Sequence, residues 1–230
     1  MPRSDPLPTG RAKVEAVRSM FDSIAPRYDL VNRVMTFGMD RGWRRRSVAT
    51  LGLAAGSLVV DVACGTGDFC RDLESARYRA VGIDLSAGML GAARTKAPLV
   101  QGDAMTMPFA AGSVDGITCG FALRNVEDIG GLLGEFGRVL RRGGRVAILE
   151  VAEPESRVLR VGHSVYFRRI VPLIGGVLSD RNAYRYLPES TAYLPARGRL
   201  LEMLDGAGFD DPRSRLVALG AAQIVTGTRR

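Results

Sequence analysis

Between residues 55 and 152 short, almost wholly apolar runs alternate with segments of helical period, and that rhythm leaves few folds open. The runs are LVVDVA (58–63), YRAVGID (78–84), PLVQGD (98–103), VDGITCGF (114–121) and GRVAILEV (144–151). A strand with one wet face alternates apolar and polar residues, whereas a strand apolar throughout must be covered on both faces, as in a parallel sheet between helix layers. The intervals supply the helices. One begins after Gly67, one is capped by Ser86 and carries Met89 and Leu90, and one carries Leu132, Leu133, Phe136, Val139 and Leu140 before stopping at Gly143-Gly144. The expectation is a doubly wound α/β fold.

Two segments break the rhythm and set the domain organisation, one domain over residues 1–230. Residues 11–50 have a helical apolar stripe through Val14, Val17, Met20, Phe21 and Ile24 and are expected as an N-terminal helical lid. Residues 51–153 form the ligand-binding core, and residues 154–198, rich in tyrosine, proline and arginine, are expected as a cap over the strand ends. Residues 199–230 return to the sheet with a helix near 198–206 and strands in RSRLVALG and AAQIVTGT, an antiparallel hairpin closing the sheet edge.

Composition narrows the function classes. The formal net charge is +8, but lysine occurs only at Lys13 and Lys96, so the excess is arginine spread along the chain. Scattered solvated charge accounts for it, a basic face toward anionic lipid is the alternative, and the run Arg44–Arg46 beside Trp43 is too short for a nucleic-acid footprint. Trp43 either staples the N-terminal helices or faces a membrane. Cys64, Cys70 and Cys119 form no CxxC pair, which suits a reduced, cytoplasmic setting, and with His163 the lone histidine no metal site is expected. No apolar run is long enough to span a bilayer.

The chemistry concentrates at the ends of the strands. VVDVACGTGDF joins a strand to a glycine turn that opens a helix, where Gly65 and Gly67 permit positive φ and close approach of a ligand. A dinucleotide site calls for a third glycine where Cys70 stands, so a nicotinamide-dependent oxidoreductase is disfavoured. Asp61 argues the same way: a carboxylate four residues before Gly65 repels a pyrophosphate but suits a ligand with an ammonium and a sulfonium, which is S-adenosylmethionine. Asp84, followed by Leu85, ends the second strand where an acid accepts from ribose hydroxyls, and Asp103, followed by Ala104, ends the third beside the adenine. Each aspartate alone also reads as a cap or turn residue; the trio is the signal.

The chain resembles the ubiquinone/menaquinone C-methyltransferases in MFDSIAPRYDLVN (20–32), GWRR (42–45), DVACGTGD (61–68), GIDLSAGML (82–90), GDAMTMPF (102–109), FALRNVED (121–128), RVLRRGG (138–144), LEVAEP (149–154) and AYRYLPES (183–190). The resemblance implies a class I S-adenosylmethionine-dependent methyltransferase fold, a mostly parallel seven-stranded sheet with an antiparallel last strand plus a helical cap. It implies cofactor contacts at Thr66, Asp84, Asp103 and Ala104. Gly120 stands where the family often has serine, leaving only backbone for that contact. His163 stands where a cap tyrosine is common, and Val225 lies near an expected histidine.

The implied reaction is C-methylation of demethylmenaquinol to menaquinol, the last step of menaquinone biosynthesis. A ubiquinone precursor or another phenolic lipid is the alternative substrate, and a non-catalytic subunit that keeps the fold is the alternative class. A ring carbon attacks the methyl group only when the adjacent oxygen carries phenolate character, so Arg124 and Asn125, just past the fourth strand, are expected to hydrogen-bond that oxygen. Arginine has donors only and is not the base. Tyr28, Tyr166, Tyr184 and Tyr186 are expected either to line the ring pocket or to pack the core, and His163 is either structural or a base. The partner is a polyprenylated quinol, with no nucleic acid. The segment VYFRRIVPLIGGVL (165–178) offers either peripheral contact on the inner face of the membrane or a homodimer surface.

Overall fold

A computed structural model describes residues 9–166 and 190–230, with positions 169, 171, 173, 175 and 186 between them. Three helices, α1 (Gly10–Ile24), α2 (Tyr28–Met35) and α3 (Asp40–Leu51), precede the sheet. Then come β1 (Leu58–Val62), α4 (Asp68–Ser75), β2 (Arg79–Asp84), α5 (Ala87–Gly91), β3 (Leu99–Gln101), β4 (Val114–Gly120), α6 (Ile129–Val139) and β5 (Leu140–Val151). After α7 (Arg157–Val165) the chain closes with α8 (Arg197–Gly206), β6 (Phe209–Val217) and β7 (Ala222–Arg229).

Among the described residues the strands form one seven-stranded sheet in the order β3-β2-β1-β4-β5-β7-β6. β1 to β5 pair in parallel, and β7 inserts antiparallel between β5 and β6. The order reverses between β1 and β4, so the loops leaving those strands diverge and open a crevice at their C-terminal ends.

Strand alternation divides the core in two, as a sheet covered on both faces requires. Val60, Val62, Ile117, Cys119 and Ile148 face α6 and α8, where Leu132, Leu133, Phe136, Leu200 and Leu204 are buried. Val59, Ala147 and Leu149 face α3 and α4, against Val48, Leu51, Phe69 and Leu73. Each fully buried large side chain contributes roughly 1.5–3 kcal/mol of transfer free energy, which holds the strand ends rigid beneath the site.

Three local expectations are corrected. The helix expected to stop at Gly143-Gly144 ends at Val139, because Leu140 is 2% exposed and pairs with Val114 in β4. The RRGG segment is then taken up as an irregularity between the Val114–Leu140 and Gly116–Arg145 pairs, with Gly143 at φ 74°. The third strand is short, Leu99–Gln101, so Asp103 sits in the following turn. The sixth ends at Val217, and Ala218–Gly220 form a 3-10 turn with Ala218 and Leu219 at positive φ. Ser86 caps α5 as expected, its Oγ accepting from Met89 N at 3.0 Å.

Candidate active site

The glycine loop is stitched to the neighbouring strand. Cys64 N donates to Ile83 O (3.0 Å) and Gly65 N to Asp84 Oδ2 (2.7 Å), while Ser86 N donates to Asp84 Oδ1 (2.8 Å). The carboxylate that ends β2 therefore orients both loops and keeps a free lone pair on each oxygen. Burial raises its pKa, and the two backbone donors oppose that shift. Gly65 (φ 53°) and Gly67 (φ 79°) both adopt the left-handed region, and Gly67 needs glycine for space as well: a β-carbon there would lie 2.7 Å from Thr95 Cγ2 and 3.1 Å from Thr95 Cβ.

Asp61 lies under this loop and is 1% exposed. It accepts from Thr118 Oγ1 at 2.8 Å and from the Cys70 thiol at 3.7 Å. Burial pushes its pKa up to about 7, a shift that those two neutral donors only partly offset. A buried carboxylate beside a glycine cradle is a seat for a cation, so the residues present fit the ammonium end of S-adenosylmethionine. Asp103 is exposed, its Oδ1 accepting from Met105 N (2.9 Å) in an Asx-type turn, and Ala104 packs partly against the core.

On the other side of the crevice β4 ends at Gly120, where a β-carbon would lie 2.7 Å from Phe69 Cε2. Glycine in place of the serine common in the family makes room for that ring. Phe121 follows at φ 55°, and a 3-10 turn, Leu123–Asn125, carries the pair singled out in the sequence. Arg124 is 5% exposed and ion-paired through Nη1 with Glu150, which is fully buried at the end of β5. Glu150 also accepts from Leu123 N (3.0 Å) and Val151 N (2.9 Å). Asn125 Nδ2 donates to Phe121 O (3.3 Å), and its Oδ1 is buried. Arg124 Nε, Asn125 Oδ1 and the Tyr186 hydroxyl are the buried side-chain polar atoms without a partner among the described residues. Such groups are costly to leave unpaired, so they mark a place for a polar ligand.

A cavity of about 390 Å³ joins the two halves. Of the residues expected from sequence, Asp61, Gly65, Thr66, Gly120, Arg124, Tyr28 and Tyr166 line it. Gly67, Asp84, Leu85, Asp103, Ala104, Asn125 and Tyr186 do not line it; Gly67 precedes α4, Asp84 is the last residue of β2 and Asn125 ends the 3-10 turn. Tyr184 and the side chain of His163 lie outside the described residues, as does most of 165–178. Tyr28 meets Phe21 edge-on at 6.0 Å, and the Tyr166 hydroxyl donates to Met35 O (2.6 Å). Burial raises both phenols and pushes Tyr186 up to about 12, so all three stay protonated at neutral pH. Val225, near the expected histidine, is fully buried in the sheet and paired with Ile148.

The sequence reading passed over several groups. Glu150 sits in the quoted LEVAEP, and an acid interrupting an apolar strand was the available signal. Arg44, dismissed as part of a short basic run, is 9% exposed and bonded to Asp40 (2.5 Å), Asp68 (2.9 Å) and Asp72 (3.1 Å), fixing α3 to α4 behind the loop. Trp43 is half-buried against the α3–α4 core and lines the cavity, which favours the staple. Among the described non-glycine residues with positive φ, Phe37, Ala63, Phe121, Ala218 and Leu219 all line the cavity. Strain of this kind concentrates where packing holds a backbone for function.

The sheet order, the glycine loop over Asp61 and the paired aspartate of β2 define a class I S-adenosylmethionine-dependent methyltransferase. The fold is shared with the crystal structure of a SAM-dependent methyltransferase from Thermotoga maritima (TM-score 0.65, 17% identity, covering 93% of this chain and 100% of that one). The chain belongs to the ubiE/COQ5 methyltransferase family, whose sequence model matches residues 9–229. It is 45% identical over 234 residues to a demethylmenaquinone methyltransferase of Roseiflexus castenholzii, covering 97% of this chain and 98% of the relative. It is 42% identical over 221 residues to a ubiquinone/menaquinone biosynthesis C-methyltransferase of Syntrophotalea carbinolica, covering 92% and 93%.

Proposed function

We propose that the protein methylates a ring carbon of demethylmenaquinol to give menaquinol. The observation that carries this reading is one cavity with a cation seat at Asp61 on one wall and an unpaired buried donor, Arg124 Nε, on another. S-adenosylmethionine supplies an electrophilic methyl group on a sulfonium. Asp61 and the backbone of Gly65 to Gly67 hold its charged end, Asp84 takes the ribose, and the Asp103-Ala104 turn takes the adenine.

Arg124 and Asn125 then act on the ring. Glu150 engages Nη1 and fixes the guanidinium, which leaves Nε–H and the N–H groups that Glu150 does not engage as donors for the ring oxygen. Asn125 Oδ1 accepts a hydrogen bond from a hydroxyl of the same ring, Nδ2 stays on Phe121 O, and the proton that the ring gives up leaves on water. Together they stabilise developing phenolate character without either acting as a strong base. Tyr28 and Tyr166 wall the ring, with α1 to α3 as a lid and α7, through Leu159 and Gly162, as a cap.

The mouth is greasy. Phe37, Met39, Leu159 and Leu219 line the cavity and are exposed, and Val158, Val161 and Val165 on α7 continue the apolar surface. This surface, flanked by Arg157 and Arg160, suits the polyprenyl tail and peripheral contact with an anionic bilayer. No helix among the described residues is long and apolar enough to cross a membrane.

The test is methyl transfer from labelled cofactor to short-chain demethylmenaquinol, with the ubiquinone precursor in parallel. Product from the naphthoquinol is expected; product from the ubiquinone precursor alone would overturn the assignment. Arg124→Ala is expected to cut kcat by about 10²–10³, the scale of losing one preorganised donor, with cofactor affinity nearly unchanged. Equal losses in both would make Arg124 structural.

A further inference from the structure

α1 and α2 carry a small core of their own, in which Ile24 and Val31 are buried with Met20, Phe21, Tyr28 and Met35, apart from the two cores that flank the sheet. Their polar attachments to the body are specific, and each lands on a different loop of the site. Asp22 Oδ1 accepts from Ser86 Oγ (2.6 Å) and Gly88 N (2.8 Å), just past Asp84. Asp29, in the first turn of α2, accepts from the hydroxyl of Thr66 in the glycine loop. The 3% exposed Lys13 donates to Val126 O (2.7 Å), just past Asn125, with its ammonium 3.6 Å from the centre of the Tyr193 ring.

The contacts leave little room for sliding. A β-carbon on Gly88 would lie 2.9 Å from Asp22 Cα, so α1 and α5 meet backbone against backbone. Thr66 is 3% exposed, so its hydroxyl has Asp29 and not water as its acceptor.

We infer that Asp22 and Asp29 are positioning residues that couple order in the cofactor loops to the seating of α1 and α2, and so complete the substrate wall made by Phe21, Tyr28 and Met35. The physical basis is shared ordering. Opening the helices exchanges each of these hydrogen bonds for one to water, so each contributes only modestly to holding them on the body. Cofactor loops stiffened by a ligand present Thr66 and Ser86 already oriented, and the helices then bind to them at smaller entropic cost. The inference rests on the glycine loop being the cofactor's seat. It adds an order of events, with the quinol wall formed after the cofactor is in place.

The experiment is hydrogen exchange of residues 10–35 in the full chain, with and without S-adenosylhomocysteine, beside calorimetric binding of the same ligand. In the wild type the ligand is expected to slow exchange in this segment about tenfold, a coupling of ordinary allosteric size. Asp29→Ala, and independently Asp22→Ala, should abolish that slowing and raise the KM for the quinol more than the Kd for S-adenosylhomocysteine. Asp29→Asn, which keeps an acceptor for Thr66, should restore most of it and serves if the alanine variant does not fold. Exchange in 10–35 that ignores the ligand in the wild type, or ligand-induced slowing that survives Asp29→Ala, overturns the inference. Absence of S-adenosylhomocysteine binding by the wild type overturns the cofactor reading and this inference with it. Binding and slowing without quinol methylation leave the coupling intact and refute only the proposed substrate.

Discussion

Replacing Asp61 by asparagine separates the cation seat from an ordinary buried carboxylate through its dependence on pH. Burial pushes the pKa of Asp61 up to about 7 in the folded protein, against 3.8 for an ordinary aspartate. The folded state thus binds the proton more tightly than the unfolded chain, and stability from this group is fully present below pH 3.8 and lost as pH rises through about 7. A separation of about three pKa units at about 1.4 kcal/mol each amounts to about 4 kcal/mol across that window. Other carboxylates, such as Asp22 and Asp40, are shifted down and titrate in the opposite sense, so the useful quantity is the difference between variant and wild type. Urea unfolding of both proteins without cofactor, at pH values from 4.5 to about 8, is expected to show Asp61→Asn gaining on the wild type by up to that amount. The wild type should recover when S-adenosylhomocysteine is added, because its ammonium group compensates the carboxylate, and the variant should not. Parallel stability curves at all pH values would refute the reasoning, since the carboxyl would then titrate alike in both states.

Two further predictions concern the ring side of the site. Glu150→Ala leaves Arg124 buried without its counter-charge and is expected to cost about 3–5 kcal/mol of stability by chemical denaturation, the usual penalty for breaking a buried pair; a loss within experimental scatter would mean that the guanidinium finds water. Gly120→Ser restores the serine common in the family but drives a β-carbon to 2.7 Å from Phe69, so it should destabilise by about 1–3 kcal/mol and be relieved by Phe69→Leu, measured as melting temperatures of the three proteins. A neutral Gly120→Ser would show that the ring moves freely.

Much of the molecule was legible because its patterns are local. Val59, Val60 and Val62 sit on β1 covered on both faces, and a strand in that position reads as a continuous apolar run whatever lies next to it. Gly65, Gly67 and Ser86 announced loop and cap because positive φ and a helix N-terminus restrict the residue at that one position. The misplaced end of α6 has the same cause in reverse. Gly143-Gly144 reads as a helix stop, but the pairing of Leu140 with Val114 ended the helix first, and strand pairing carries no local mark. Asp103 was expected at a strand end and stands in an exposed turn for a like reason, since β3 is only as long as its partner in β2 permits.

What the sequence determined by itself is therefore the layered sheet, the side of it on which chemistry occurs and the cationic character of the ligand, since an acid before a glycine turn opposes a pyrophosphate and favours a cation. The pairing of Arg124 with Glu150, the fastening of Asp29 to Thr66 and of Asp22 to Ser86, and the pairing of Arg44 with Asp68 and Asp72 were decided only by tertiary structure. These partners are 26, 37 and 64 residues apart for the first three. Hydrophobic periodicity specifies which face of an element is buried; it is the packing of those faces against one another that brings particular charges within bonding distance and leaves Arg124 Nε, alone of that guanidinium's described nitrogens, buried without an acceptor.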